Sequence, residues 1–329
     1  MKKRFKAQKA YSRLDHFLSE ALEKENISRS RVVKLIEEGH IKVNNQPVSK
    51  KNIHIRVGDI VDLELAEPGP KEHRYQPSIE LNKLFEDEYL LIIDKPWGIS
   101  VHPGSGEHGE TILDIFRYYY PRVEEMKEAE WPGIVHRLDK DTSGVLLLAK
   151  DIITMKRLQK QFKRREVKKT YLALVHGRVR FRNGTINAAI VRDPRHRTRF
   201  KAVRPGEQPG DMANAREAIT EFSVIRQYRD FAFLKVFPLT GRTHQVRVHL
   251  AFYGNPILGD PVYGKAHTFE RLALHAHSLE FLHPITGNLI YSYSVFPEVF
   301  RNFLRLASGG QGGSFRENRP PGPSTKAFD

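Results

Sequence analysis

The densest polar run in this chain is His136-Arg137-Leu138-Asp139-Lys140-Asp141-Thr142-Ser143-Gly144. Two carboxylates flanked by Arg137 and Lys140 sit where their ionised form is favoured, as a carboxylate nucleophile or base requires. The run lies between the apolar Gly133-Ile134-Val135 and Val145-Leu146-Leu147-Leu148-Ala149. That spacing predicts strand–loop–strand, with the polar side chains at a sheet edge or cleft floor. A charged turn whose Asp and Thr satisfy loop backbone groups fits the same composition. Composition does not choose between Asp139 and Asp141.

A second polar run is Thr240-Gly241-Arg242-Thr243-His244-Gln245-Val246-Arg247-Val248-His249-Leu250. Gly241 permits a tight bend, and an extended run beyond it puts Thr243, Gln245, Arg247 and His249 on one face. Such a row suits phosphate or base contacts, or one arginine holding a catalytic carboxylate. A polar strand face turned to solvent is the plainer alternative. Metal chemistry has little support: His275 with His277, and His244 with His249, bring no third ligand, and HExxH is absent. Neither a Walker-type GxxxxGK[ST] nor a convincing GxGxxG after a strand occurs, so no nucleotide cofactor is expected.

The elements that must position these runs follow from patterning. Asp151 reads as the N-cap of a helix reaching toward Val167, with Ile152, Met155, Leu158 and Phe162 as its apolar stripe. Lys156, Lys160, Lys163 and Arg164 lie off that stripe and form a basic outer face. Lys168-Lys169-Thr170-Tyr171 leads into a strand at Leu172-Ala173-Leu174-Val175, and a lone Tyr171 is by default a core aromatic. Tyr89 to Ile93 is a continuous apolar run suited to a buried strand, which Lys95-Pro96-Trp97-Gly98 ends. Thr111 caps a helix over Ile112 to Tyr119, stopped before Pro121. Further strand-like runs fall at 145–149, 231–237 and 246–251. Without regular β–α alternation, the pattern predicts an α+β fold with a mainly antiparallel or mixed sheet.

This main domain spans 79–306. Ahead of it, residues 1–10 read as a flexible basic arm and 11–75 as a small basic module. A helix over Leu14 to Leu22 and a second one, capped by Ser28 and running through Glu38, precede short strands near Ile41 and Ile60. Arg29, Arg31 and Lys34 make that second helix basic. Residues 66–78 carry three prolines and one glycine and read as a linker. Residues 307–329, rich in Gly, Pro and Ser, are expected to be disordered.

The chain has 329 residues and no cysteine, which removes disulfides, thiolate catalysis and Cys-ligated metals. A basic N-terminus without an apolar core, and no apolar run near the roughly 20 residues that span a bilayer, predict a cytoplasmic protein with no membrane partner. Nothing in the pattern suggests a coiled coil or a large apolar patch, so a monomer is expected. Net charge is +15, and residues 151–205 hold 17 Lys and Arg against Asp151, Glu166 and Asp193. Charge concentrated in this way suits a polyanion.

Two resemblances give these patterns a meaning. SRSRVVKLIEEGHIKVNNQPVSKKNIHIRVGDIVDL resembles the S-four RNA-binding domain, with Asn44-Asn45 where that family usually has Asn-Gly. IIDKPWGISVHPG, GIVHRLDKDTSGVLLLAK, KKTYLALVHG, PLTGRTHQVRVHLAFYGNPILGDPVYG and LALHAHSLEFLHP resemble, in order, the RluA family of RNA pseudouridine synthases. The layout and RHRTRFKAV look closest to its RluD branch, which modifies a large-subunit ribosomal RNA hairpin.

The resemblance implies a cofactor-free isomerisation of uridine to pseudouridine on the pseudouridine synthase fold. It assigns the essential aspartate to Asp139, the active-site tyrosine to Tyr171, the basic partner of the aspartate to Arg247, and the residue that helps displace the target nucleotide to Arg137. His136, Arg242, His244, Gln245, Lys160, Lys163 and Arg164, with Arg29, Arg31 and Lys34 in the first module, are the expected RNA contacts. The alternatives are a non-catalytic RNA-binding or ribosome-assembly protein, a pseudouridine synthase acting on transfer RNA, and a metal-dependent nuclease.

Overall fold

A computed structural model describes residues 2–22, 29–64, 76–104, 109–194, 196, 199–203, 214–264 and 269–308, with the side chains of 2, 29–31 and 64 outside that description. The chain divides into two compact units, 1–75 and 76–329. No helix among the described residues is long and apolar enough to cross a membrane.

In the first unit, strands β1 (Lys2–Lys6), β2 (Ile41–Val43), β3 (Gln46–Val48) and β4 (Ile60–Glu64) form a sheet in the order β1-β4-β2-β3. Helices α1 (Leu14–Ala21) and α2 (Arg29–Glu37) bury Leu14, Phe17, Leu18, Val32, Leu35 and Ile36 against Ile41, Val61 and Leu63. Asn44 and Asn45, at φ 49° and 67°, make the turn between β2 and β3, a conformation asparagine tolerates. Within the stretch read as a flexible arm over 1–10, residues 2–10 are not loose. β1 pairs antiparallel with β4, Phe5 packs on the core and Arg4 Nε donates to Asp62 Oδ1 at 2.7 Å. The Lys and Arg side chains that suggested a solvated tail belong to an edge strand, where charge is usual. Ser28 and the linker residues 66–75 lie outside the described residues, as do the side chains of Arg29 and Arg31.

The second unit is built on a nine-stranded sheet. Its strands are β5 (Lys83–Glu86), β6 (Leu90–Lys95), β7 (Ser143–Ala149), β8 (Lys168–His176), β9 (Asn183–Asn187), β12 (Ile219–Gln227), β13 (Phe231–Pro238), β14 (Leu274–Leu282) and β15 (Leu289–Tyr293). The order is β5-β6-β7-β14-β8-β13-β12-β9, with β15 on β14, and only the β7–β14 pair is parallel. A separate hairpin joins β10 (Ala189–Arg192) and β11 (Phe200–Val203). Helix α3 (Ile112–Tyr119) opens with a capping box between Thr111 and Asp114, and α4 (Ile152–Lys163) with Asp151 accepting from the N–H groups of Ile153 and Thr154. Helix α5 is Gln245–Phe252 and α6 is Glu298–Ala307. β6 and β7 bury every residue of Leu90–Ile93 and Ser143–Ala149.

Residues 246–251 are helical, not a strand. The alternation Val246, Val248, Leu250 against Arg247 and His249 mimics a half-buried strand, but all of Gln245–Leu250 is buried. Period-two reasoning needs one wet face, and this segment has none. Of the disorder expected for 307–329, Ala307 instead ends α6, and residues 309–329 lie outside the described residues.

One cross-sheet row organises the site. Lys95 pairs with Gly144, Gly144 with Ala276, Ala276 with Tyr171 and Tyr171 with Val236. Paired residues share a face of a sheet, so Lys95 and Tyr171 project on the same side. Gly144 has φ +115°, and a Cβ there would collide with the carbonyl oxygen of Ala276. This close approach lets the loop before β7 descend against β14.

Candidate active site

The loop 136–142 is fixed by buried polar groups. Lys95 is wholly buried, and its Nζ donates to the carbonyls of Pro96, Ile99 and Lys140 at 2.8, 2.8 and 3.0 Å. Burial pulls this ammonium down to about 7, with Asp141 and Asp139 pulling the other way. Three carbonyl acceptors use three N–H donors, which only the ammonium form has. At the far end of the loop, Ser143 Oγ receives Arg271 Nη2 at 2.7 Å and lies 2.9 Å from His275 Nδ1.

Asp139 lies in this loop with its side chain 17% exposed, and Arg247 Nη1 donates to its Oδ2 at 3.2 Å. Arg247 is itself clamped: Nε and Nη2 donate to the two oxygens of Asp260 at 2.8 and 2.9 Å. Burial works against the Arg247 cation, but the hydrogen bonds of Asp260 and the charge of Asp139 outweigh it and raise its pKa. Asp260, fully buried, also accepts from the N–H groups of Val262 and Tyr263. Burial would raise its pKa; the Arg247 bonds prevail and lower it. Tyr171, in the row next to Asp139, is half-buried. Burial, then the charge of Asp139, pushes its phenol well above the ordinary tyrosine range, so it is a neutral O–H group at pH 7.

Asp139, Tyr171 and Arg247 open into one cleft of about 570 Å³, also lined by Arg137, Lys163, Arg165, Lys169, Arg242 and His244. That volume is in the range of small-molecule sites. The structure thus brings together all three catalytic candidates and six of the expected RNA contacts, His136 and Gln245 among them, with Arg137 exposed. Arg242 Nε donates to the carbonyl of Glu217 at 3.0 Å. His244, at φ 55°, precedes α5 and lies with Nδ1 2.9 Å from the Tyr263 hydroxyl. Lys160 and Arg164 are exposed on and just after α4 but do not line the cleft. Lys34 is exposed on α2, 3.8 Å from Glu38.

Two expected RNA contacts that line the cleft are also held by partners within the protein. His136 stacks on Phe162 at 4.7 Å and its Nε2 accepts from the Leu147 N–H at 2.9 Å. Burial pushes its pKa down to about 3, so it is a neutral brace for β7. Gln245 is buried with every side-chain position engaged. Its Oε1 accepts from Thr240 Oγ1 and the Arg242 N–H, and its Nε2 donates to the Ile219 carbonyl and Thr220 Oγ1. One turn on, His249 Nδ1 lies 2.9 Å from the same Thr220 hydroxyl.

Other site residues went unremarked in the sequence. Asp260 stands in the quoted GDPVYG string, but only helical geometry brings it to Arg247. Lys169, two residues before Tyr171 and therefore on its face, donates to the Thr240 carbonyl at 2.9 Å. Burial, then Arg165, lowers its ammonium to about 8. Arg165 holds φ 62° just beyond α4 and pairs with Glu217 at 2.8 Å. No group of three or more His, Asp or Glu at metal-binding spacing occurs among the described residues.

A carboxylate held by a doubly anchored arginine, beside a neutral phenol in a cleft ringed by cations, suits chemistry on an anionic polymer. Comparison with known proteins points the same way. Residues 89–252 match the RNA pseudouridylate synthase family and residues 12–61 match the S4 domain. An uncharacterized RNA pseudouridine synthase of Aquifex aeolicus (strain VF5) is 36% identical over 310 residues, 91% of this chain and 94% of the relative. Ribosomal large subunit pseudouridine synthase D of Nitrosomonas europaea is 36% identical, across 89% of this chain and 83% of its own length. The solved structure of human RNA pseudouridylate synthase domain containing 4 is 25% identical with a TM-score of 0.56, covering 69% of this chain and 93% of that one.

Proposed function

We propose, for a chain that belongs to the RNA pseudouridylate synthase family and carries an S4 domain ahead of its catalytic unit, that the uridines it isomerises lie in large-subunit ribosomal RNA. Support comes from the relatives similar over most of their length that are named ribosomal large subunit pseudouridine synthase D, including those of Nitrosomonas europaea and Pasteurella multocida. A substrate embedded in a large folded RNA also suits a net charge of +15.

The single observation that carries the mechanistic reading is the Asp260–Arg247–Asp139 chain. Arg247 holds Oδ2 of Asp139, which leaves Oδ1 as the oxygen facing the sugar. In our reading the target uridine leaves its stack, at a cost of a few kcal/mol, and enters the cleft. Arg137, exposed at the mouth, braces the gap left in the RNA. Asp139 promotes cleavage of the bond from C1′ to N1, either by attack on the sugar or by removal of a sugar proton. The freed uracil turns against the Tyr171 ring and joins C1′ through C5, as the Asp139–C1′ bond breaks in the first route or the sugar proton returns from Asp139 in the second. The C5 proton is then lost and N1 gains one, so atoms balance with no other reactant. Tyr171, neutral at pH 7, serves as a wall and O–H donor and not as a resting base.

The substrate is tested by mapping pseudouridine in ribosomal RNA from cells lacking the gene. Large-subunit sites that vanish and return with the wild-type gene are expected. An unchanged large-subunit map with sites lost from transfer RNA would move the substrate there.

A further inference from the structure

We propose that a second pocket, beside Trp97, is a nucleotide site that stacks the base of a residue flanking the target uridine while that uridine occupies the catalytic cleft. The proposal rests on the RNA-modifying reading but not on which RNA is modified.

The pocket has a volume of about 470 Å³ and includes Pro96, Trp97, Gly98, Ile99, Ser100 and Lys140 in its lining. It is continuous with the catalytic machinery through one peptide unit. Asp139 lines the catalytic cleft and Lys140 the second pocket, and consecutive Cα atoms are about 3.8 Å apart. The two loops also emerge at the same end of the sheet. Lys95, the last residue of β6, pairs with Gly144 at the start of β7, and the Gly98 N–H donates to the Lys140 carbonyl at 2.9 Å. A strand of RNA that delivers one base to Asp139 therefore passes over the Lys140 side.

Trp97 is equipped to receive the next base. It is 52% exposed on a loop held by the three Lys95 bonds. Trp131, by contrast, is half-buried and stacked on His102 at 4.6 Å. One face of the Trp97 ring is backed by the Arg271 guanidinium at 5.4 Å from its centroid. Arg271 is buried, tied to Ser143 and packed 5.1 Å from the Phe300 ring, so it anchors the indole. An anchored aromatic ring with a free area and a lysine alongside is the arrangement by which proteins hold unpaired bases, with little regard to base identity. The acidic wall residue Glu110 is engaged by the Ser78 N–H at 3.0 Å and by its hydroxyl.

The chain has two tryptophans, so Trp131→Phe leaves Trp97 as the sole indole reporter. In that protein, also carrying Asp139→Asn to prevent turnover, titration with a uridine-containing hairpin RNA that the wild type modifies should quench Trp97 emission saturably. Trp97→Ala should weaken binding of the same RNA about tenfold and Trp97→Phe much less, because the aromatic face is kept. RNA that binds without changing the emission, or with equal affinity to Trp97→Ala, overturns the proposal while leaving the enzymatic reading intact. Failure of the wild type to form pseudouridine in any RNA removes that reading and the proposal with it.

Discussion

At the scale of single residues, Arg247 is shared by two carboxylates of unequal burial, and that inequality separates stability from chemistry. Asp260 has no exposed side-chain surface and holds Arg247 through two bonds, whereas Asp139 keeps 17% exposure and one bond of 3.2 Å. Removing one partner of a buried pair strands the other charge, at a cost of about 3–5 kcal/mol. Asp260→Ala should therefore lose about that much in urea denaturation, while Asp139→Ala loses about 1 kcal/mol or less and abolishes activity. Equal losses would mean that Asp139, not Asp260, anchors the arginine. Asp139, Tyr171 and Arg247 were legible as residue types within specific strings, and all three line the cleft. His136 and Gln245 line the cleft too, but a sequence displays hydrogen-bonding groups and not the partners inside the protein that already engage them. Strand β7 at Leu147 takes one and strand β12 at Thr220 the other.

At the scale of elements, the strands that hold the site were legible from unbroken apolar runs, and α5 was not. Its polar residues are satisfied internally, Gln245 and His249 on Thr220 and Arg247 on Asp260. Burial on all sides erased the 3.6-residue signature that an amphipathic helix displays. Arg165 is the opposite case, a local conformation that sequence rules argue against. A non-glycine residue at φ 62° costs about 1 kcal/mol, and here it places a guanidinium on the cleft wall beside Glu217. Arg165→Gly relieves that strain and gives up only a surface ion pair. Its unfolding free energy should match or exceed the parent's by up to about 1 kcal/mol, while RNA affinity falls and the log–log salt slope becomes shallower by about one. A less stable variant with unchanged affinity and slope would assign Arg165 to the fold alone.

At the scale of the molecule, two compact units share one chain. The first has its own core of Leu14, Leu18, Val32, Ile36, Ile41 and Leu63. The second contains every residue of the catalytic cleft. Deleting residues 1–75 should thus weaken RNA binding about ten- to a hundredfold, with the loss steepest at high salt, and leave slow modification of naked RNA. Complete loss of chemistry would show that the first unit helps build the active state. The split between residues 75 and 76 falls within the proline-bearing stretch at 66–78. The N-terminal edge strand was not, because its partner β4 lies more than fifty residues away and only the fold supplies it. The central claim is that this chain makes pseudouridine with Asp139 as the acting group. It is tested most directly by incubating purified wild type and Asp139→Asn with a large-subunit ribosomal RNA transcript and reading pseudouridine base by base. Defined sites are expected with the wild type, also in the presence of a chelator, and none with Asp139→Asn although it binds the same RNA. Pseudouridine formed at wild-type rates by Asp139→Asn would contradict the claim.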